Sequence, residues 1–234
     1  MSDNKWRMYY PQQWPIWLFM GVLKLITWLP FTWQLAIGRG LGRLLHRLAA
    51  RRRHIADVNI GLCFPHLSPR ERQQLVLKTF EANGMGLMET AAAWFMKPER
   101  LLKRVTIKGL DLVEKAQAEG KAVLLLGAHY TTTDIAGTLL GQFLAFDVIY
   151  RRQKNPVINH LMTTSRQKFL KGGRTIPQDD MRAFYRCLAD KRVLWYPPDQ
   201  DYGAKHSVFA PFFGVPAATI KAPTRMAMKS GAYV

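Results

Sequence analysis

Between residues 14 and 37 the chain reads WPIWLFMGVLKLITWLPFTWQLAI, with Lys24 as its one charge. A bilayer core takes about 20 mostly apolar residues as helix, so the run is long enough to span. Trp6, Tyr9, Tyr10, Trp14 and Trp17 crowd one end and Trp28 and Trp33 the other, as interface-seeking aromatics do. The first expectation is therefore a hydrophobic membrane helix, with residues 1–38 as an N-terminal anchor. Two residues oppose a full span. A charged Lys24 is costly at mid-membrane, and Pro30 kinks or ends a helix. A re-entrant or partly embedded helix stays open, as does a buried helix of a soluble fold. No small-x-small site follows the run, which argues against a cleaved signal peptide.

Arg39, Arg43, Arg47 and Arg51 then recur every four residues, and Arg52 and Arg53 follow before the first acid, Asp57. At 100° per residue the first four share one side of a helix, with Ile37, Leu41, Leu44, Leu45 and Leu48 on the other. Residues 39–58 thus read as a basic amphipathic interfacial helix. Over the 234 residues, 34 Lys+Arg against 16 Asp+Glu give a formal charge of +18. That balance calls for an anionic partner: nucleic acid, an acidic protein or a phosphate-bearing membrane. The stripe adjoins the most apolar part of the chain, so anionic lipid is favoured and nucleic acid is not expected. A solvated helix face is the bland alternative. Basic residues after the run place that side in the cytoplasm.

Residues 59–234 read as an α/β domain. Residues 59–72 form a loop that ends with Ser68 and Pro69 as N-cap and first helical residue, and Glu71 sits near the capping-box position. Helical spacing follows over 75–93, with a small-residue stretch at Gly84-Met85-Gly86. Strands are expected at 105–109, 122–126, 146–150 and 193–196, and helices at 112–119, 135–144, 155–170, 181–190 and 219–229. The AVLLL run is continuous, as in strands buried on both faces. Alternating strands and helices indicate a mixed sheet flanked by helices. Residues 232–234 read as a strand just opening, so the chain looks like a fragment incomplete at its C-terminus. Cys63 and Cys187 form no disulfide or zinc set and read as buried small apolars.

The AVLLL strand runs into Gly127-Ala128-His129, and Asp134 lies in the next helix start. Ligands of open α/β sheets bind at the carboxyl ends of strands. There Asp134 can reach back to the imidazole, fix its tautomer and let His129 take a proton from a hydroxyl. No Ser or Cys nucleophile sits at this turn, so direct attack by a substrate hydroxyl is favoured over a covalent intermediate. Taken alone, a His and an Asp at this spacing are a weak signal. Arg151 ends the next strand, where its guanidinium could meet a substrate phosphate or an oxyanion. Arg174 could contact phosphate in the same way. Asp199 and Asp201 in PPDQDYG suggest a Mg²⁺ pair, but no further carboxylates cluster, and a structural or substrate-positioning loop is preferred. Phe209, Phe212 and Phe213 read as core, with an acyl-channel wall as the alternative.

The blocks FEANGMGLMETAAAWF, GAHYTTTD, VIYRRQKNP, VLWYPPDQDYG and SVFAPFFGVPAAT occur in one order over nearly the whole chain. Together they resemble the late acyltransferases of lipid A biosynthesis, and LCFPHLSPRER with GMGLMET resembles the lauroyl/palmitoleoyl branch. The resemblance implies a glycerolipid-acyltransferase-like fold on the cytoplasmic side of the bacterial inner membrane. It implies transfer of an acyl chain, lauroyl by branch, from acyl carrier protein to the hydroxyl of a 3-hydroxyacyl chain on the precursor Kdo2-lipid IVA. It also implies no metal and no cofactor beyond the acyl donor, and it matches His129 and Asp134 to the family's H-x4-D/E pair. An acyltransferase for another anionic lipid, such as a phosphoinositide mannoside or a glycerophosphate, stays open. So does a non-catalytic basic membrane-binding protein.

Overall fold

The computed structural model describes residues 5–234; residues 1–4 of the expected anchor lie outside them. The first helices are α1 (Trp14–Ile26), α2 (Phe31–Leu48), α3 (Ala50–Cys63) and α4 (Pro69–Phe95). The apolar run is therefore not one membrane helix. Its 13-residue first part, α1, spans about 20 Å, short of the ~30 Å hydrocarbon core. No helix among the described residues is long and apolar enough to cross a membrane. Pro30 takes extended backbone (φ −52°, ψ 139°) between α1 and α2. The fully buried Gln34 clamps that corner, its Nε2 donating to the carbonyls of Thr27 at 3.2 Å and Leu29 at 2.9 Å. Total hydropathy counts neither the proline corner nor this buried amide.

Helices α1, α2 and α3 pack along α4, which opens with the full Ser68–Glu71 capping box. Glycines set the closeness of α2 and α4. A Cβ on Gly38 would lie 2.6 Å from the Gly84 carbonyl oxygen, and one on Gly42 would collide with that of Phe80. The arginine stripe does not ride on one helix over 39–58. The chain turns at Ala49 (φ −95°, ψ 65°), where the Arg53 side chain donates to the carbonyl oxygens of His46 and Arg47, and α3 runs on through part of the expected loop.

Next come α5 (Glu99–Leu102), α6 (Leu110–Ala118), β1 (Val123–Leu126), α7 (Thr133–Leu140), β2 (Asp147–Tyr150) and α8 (Pro156–Phe169). The chain continues through β3 (Thr175–Pro177), α9 (Met181–Ala189), β4 (Val193–Tyr196), β5 (Ser207–Phe212), β6 (Val215–Ile220) and α10 (Ala222–Ser230). The main sheet, ordered β1-β4-β2-β3, is parallel throughout rather than mixed, and antiparallel pairing is confined to a separate β5–β6 ribbon. Tyr233 makes one parallel bridge to Val123 on the outer edge of β1. The expected strand at 105–109 forms no ladder; Val105 and Ile107 line a cavity instead.

Alternation along the strands builds two cores. Leu124, Leu194 and Ile176 pack with Phe184, Leu188 and Met226 on one face, while Val123, Val193 and Val148 pack with Ala116, Leu144 and Leu170 on the other. Cys187 is fully buried and Cys63 only partly. Burial, then the neighbouring Asp147 charge, pushes the Cys187 thiol up to about 12. Phe209, Phe212 and Phe213 are not core: they stand exposed on the ribbon, where Phe213 meets Phe64 edge-on at 5.0 Å.

Candidate active site

Because the sheet is parallel, the segments that follow β1, β2 and β4 all emerge at one edge. His129 follows β1, Arg151 follows β2 and Asp199 follows β4, and β1 and β4 are neighbours. Two glycines let the histidine segment sit where it does. A Cβ on Gly127 would run into the Trp195 indole, and one on Gly86 of α4 would lie 2.7 Å from Thr131 Cβ.

The pairing differs from the sequence expectation. The partner of His129 is Asp199: Oδ1 lies 2.6 Å from His129 Nδ1, and Oδ2 accepts the His129 backbone N–H at 2.7 Å. Partial burial raises the Asp199 carboxyl, but the His129 backbone and ring bonds outweigh it and hold the group below the usual carboxylate range. Asp134, in the first turn of α7, instead takes Nε and Nη2 of Arg166 on one oxygen at 3.0 and 2.7 Å. The spacing brought Asp134 to the right edge, but α8 supplies a guanidinium that takes its carboxylate. Asp201 accepts the Gly203 N–H at 2.6 Å. Among the described residues no cluster of three or more His, Cys, Asp or Glu could hold a metal ion.

Arg174 does not belong to this edge. It precedes β3, at the opposite end of a parallel strand, and its guanidinium grips the fully buried Asp147 at 2.8 and 3.0 Å. Arg192 completes that cluster at 2.6 and 3.0 Å.

Two cavities meet at the carboxyl edge and share Thr133, Arg166 and Trp195. One, of about 700 Å³, runs along α7 between apolar walls that include Ile107, Leu139, Leu140, Phe146 and Leu170. The other, of about 820 Å³, holds His129 and Gln200. Its charged lining among the described residues is Arg151, Arg166, Lys205, Lys221 and Arg225 against Asp179. Sequence reasoning missed Arg166 and Gln200. Arg166 carries no local signal, sitting in the last turn of α8 and 32 residues from its partner, whereas Gln200 lies inside the PPDQDYG block.

A histidine set where an apolar cavity meets a cationic one suits an enzyme that works on an amphipathic anion. The family model for "Bacterial lipid A biosynthesis acyltransferase" matches residues 1–234, and the chain belongs to that family of acyltransferases. It is 37% identical over 224 residues to the lipid A biosynthesis lauroyltransferase of Escherichia coli (strain K12), covering 95% of this chain and 72% of that protein. It is 33% identical over 206 residues to the palmitoleoyltransferase of that strain, covering 88% and 67%. For the myristoyltransferase it is 31% over 221 residues, covering 93% and 67%.

Proposed function

We propose that this acyltransferase moves a fatty acyl chain, lauroyl by its relatives, from the thioester of acyl carrier protein to the hydroxyl of a 3-hydroxyacyl chain on the lipid A precursor Kdo2-lipid IVA. The observation that carries the reading is the junction of the two cavities beside His129. The apolar cavity accepts a hydrocarbon chain, and the cationic one accepts the phosphates of an anionic glycolipid.

In this reaction His129 takes the hydroxyl proton as the oxygen attacks the thioester carbonyl. The tetrahedral oxyanion collapses with cleavage of the C–S bond, and the departing thiolate recovers the proton from the imidazolium. Arg166, anchored by Asp134, lies where both cavities can reach it and offers positive charge to the oxyanion. Arg151 is offered to substrate phosphate. The scheme calls for no cofactor beyond the acyl donor, and acidic acyl carrier protein suits a chain of charge +18.

The enzyme works as a monotopic protein on the cytoplasmic face of the bacterial inner membrane. The support is an exposed apolar surface on α1 and α2, where Trp14, Leu18, Val22, Leu25, Trp33, Ile37, Leu44 and Leu48 all face out. On α2 these residues form a stripe bordered by Arg39, Arg43 and Arg47, suited to lying on anionic lipid.

The test is an assay of purified enzyme with lauroyl acyl carrier protein and Kdo2-lipid IVA. His129→Ala should lose at least about 100-fold in turnover while still floating with anionic vesicles. Near-normal turnover would sink the assignment of the base.

A further inference from the structure

We propose that the cavity at the α2–α3 corner is a second ligand site, separate from the active site, and that it takes the phosphate of an anionic phospholipid headgroup. The proposal shares with the reading above only the premise that the chain meets a membrane. It does not depend on His129 or on the acceptor.

The cavity measures about 660 Å³ and lies between α2, α3 and the start of α4. That size falls in the range of about 300–1,000 Å³ usual for small-ligand sites. It shares no described residue with the two cavities beside His129. Among the described residues its wall carries Arg53, Arg70 and Arg72 with His46 and His54, against one carboxylate, Asp57. That carboxylate is already matched, since Arg72 Nε lies 2.9 Å from its Oδ1. Arg53 donates to the carbonyl oxygens of His46 and Arg47 at the end of α2, partners without net charge. Arg70, exposed on the first turn of α4, has no ion-pair partner among the described residues. The nearby acid Glu71 is held by Ser68 in the capping box and does not line the cavity. Two guanidinium groups on the wall are therefore left without an anion, and their planar donors match phosphate oxygens.

The same helix offers a place for the rest of the ligand. At 100° per residue Ala50, Arg53, His54 and Asp57 share one face of α3, the face that lines the cavity. Ile55, Val58 and Leu62 fall together about a third of a turn round, and all three are exposed. Leu48, exposed at the end of α2, adjoins the corner. A soluble phosphate or an acidic protein would use the charge and leave this strip in water. A phospholipid uses both, its phosphate among the arginines and its hydrocarbon along the strip.

The test is a titration that reads binding rather than turnover. Enzyme labelled with ¹⁵N-histidine is held in a neutral detergent that carries no phosphate, and dihexanoylphosphatidylglycerol is added. The His46 and His54 resonances should shift and saturate. Inorganic phosphate should move the same histidines at least about tenfold more weakly, because the apolar strip then stays wet. Arg70→Gln should weaken the phospholipid about tenfold, the loss of one bond to a charged group. Arg52→Gln removes the same charge from an exposed side chain outside the cavity and should stay within about twofold. Val58→Ser should weaken the phospholipid and leave inorganic phosphate unchanged. Silent His46 and His54 resonances, equal losses from Arg70→Gln and Arg52→Gln, or inorganic phosphate binding as tightly as the phospholipid would each overturn the proposal. So would acyl carrier protein shifting these histidines where the phospholipid does not. The reaction assigned to His129 is read by turnover alone, so its failure and the failure of this site are told apart.

Discussion

The two edges of the sheet hold the same kinds of residue in opposite states. At the amino edge the fully buried Asp147 is saturated by Arg174 and Arg192 and by the Arg174 backbone N–H at 2.9 Å. At the carboxyl edge His129 and Asp199 stay partly open to water, and Arg151 has no ion-pair partner among the described residues. The amino edge shows charge used to close a fold. The carboxyl edge shows charge held in readiness for a ligand, and the strand direction alone separates them.

The largest effect should come from the closed edge. Asp147→Ala leaves two guanidinium groups facing a void and should cost about 3–5 kcal/mol in chemical denaturation, enough to unfold a marginal domain. If the loss stays below ~1 kcal/mol, the cluster is not what holds that end of the sheet. Acid should act on the same group. Burial raises the Asp147 carboxyl, but the bonds from Arg192 and Arg174 outweigh it and hold it below the ordinary value. A carboxylate with a lowered folded pKa contributes stability that is full above about pH 4 and fades as pH falls through the folded value. Wild-type stability should therefore drop below about pH 4, and Asp147→Ala should flatten that slope.

A matched pair of arginine variants sharpens the contrast. Arg174→Gln should lower stability by about 1.5 kcal/mol, the low end for a bond to a charged group because half of the side chain is in water, with KM unchanged. Arg151→Gln should leave the melting temperature alone and raise KM for the phosphorylated acceptor about fivefold, or ~1 kcal/mol. The reverse pattern would exchange their roles. Smallest of all, Leu18→Ser should weaken binding to anionic vesicles a few-fold with stability within ~0.5 kcal/mol. Unchanged flotation would mean that α1 does not touch lipid.

Much of the α/β half was legible. Strands β1, β2 and β4 are buried on both faces and announce themselves as apolar runs, and the carboxyl-edge rule brought His129 and Arg151 into view, while Asp199 drew notice only as half of an acidic pair in its loop. Which carboxylate meets the imidazole was not legible, because the choice turns on Arg166 from another helix and on β4 lying beside β1. Arg174 misled because "near a strand" reads the same at either end until the strand's direction is known. The apolar run misled for a different reason. Its length resembles a span, but Pro30 and Gln34 turn it into a corner, and the apolar faces of α1 and α2 show only once α4 occupies their other sides. The β5–β6 ribbon escaped notice as well, though Phe213 and Gly214 at φ 51° and 79° make the tight turn that closes it.

One helix ties the exposed apolar surface of α1 and α2 to the chemistry. Glycines of α4 seat α2 at Gly84 and the histidine segment at Gly86, two residues apart on a single rod of 27 residues, about 40 Å long. On the proposed seating of α1 and α2 on lipid, the altitude of the reacting atoms above the bilayer is thus a built-in length. On that same proposal, an acceptor drawn up from the membrane would meet the histidine at one fixed height, set by the rod and not by the acyl donor.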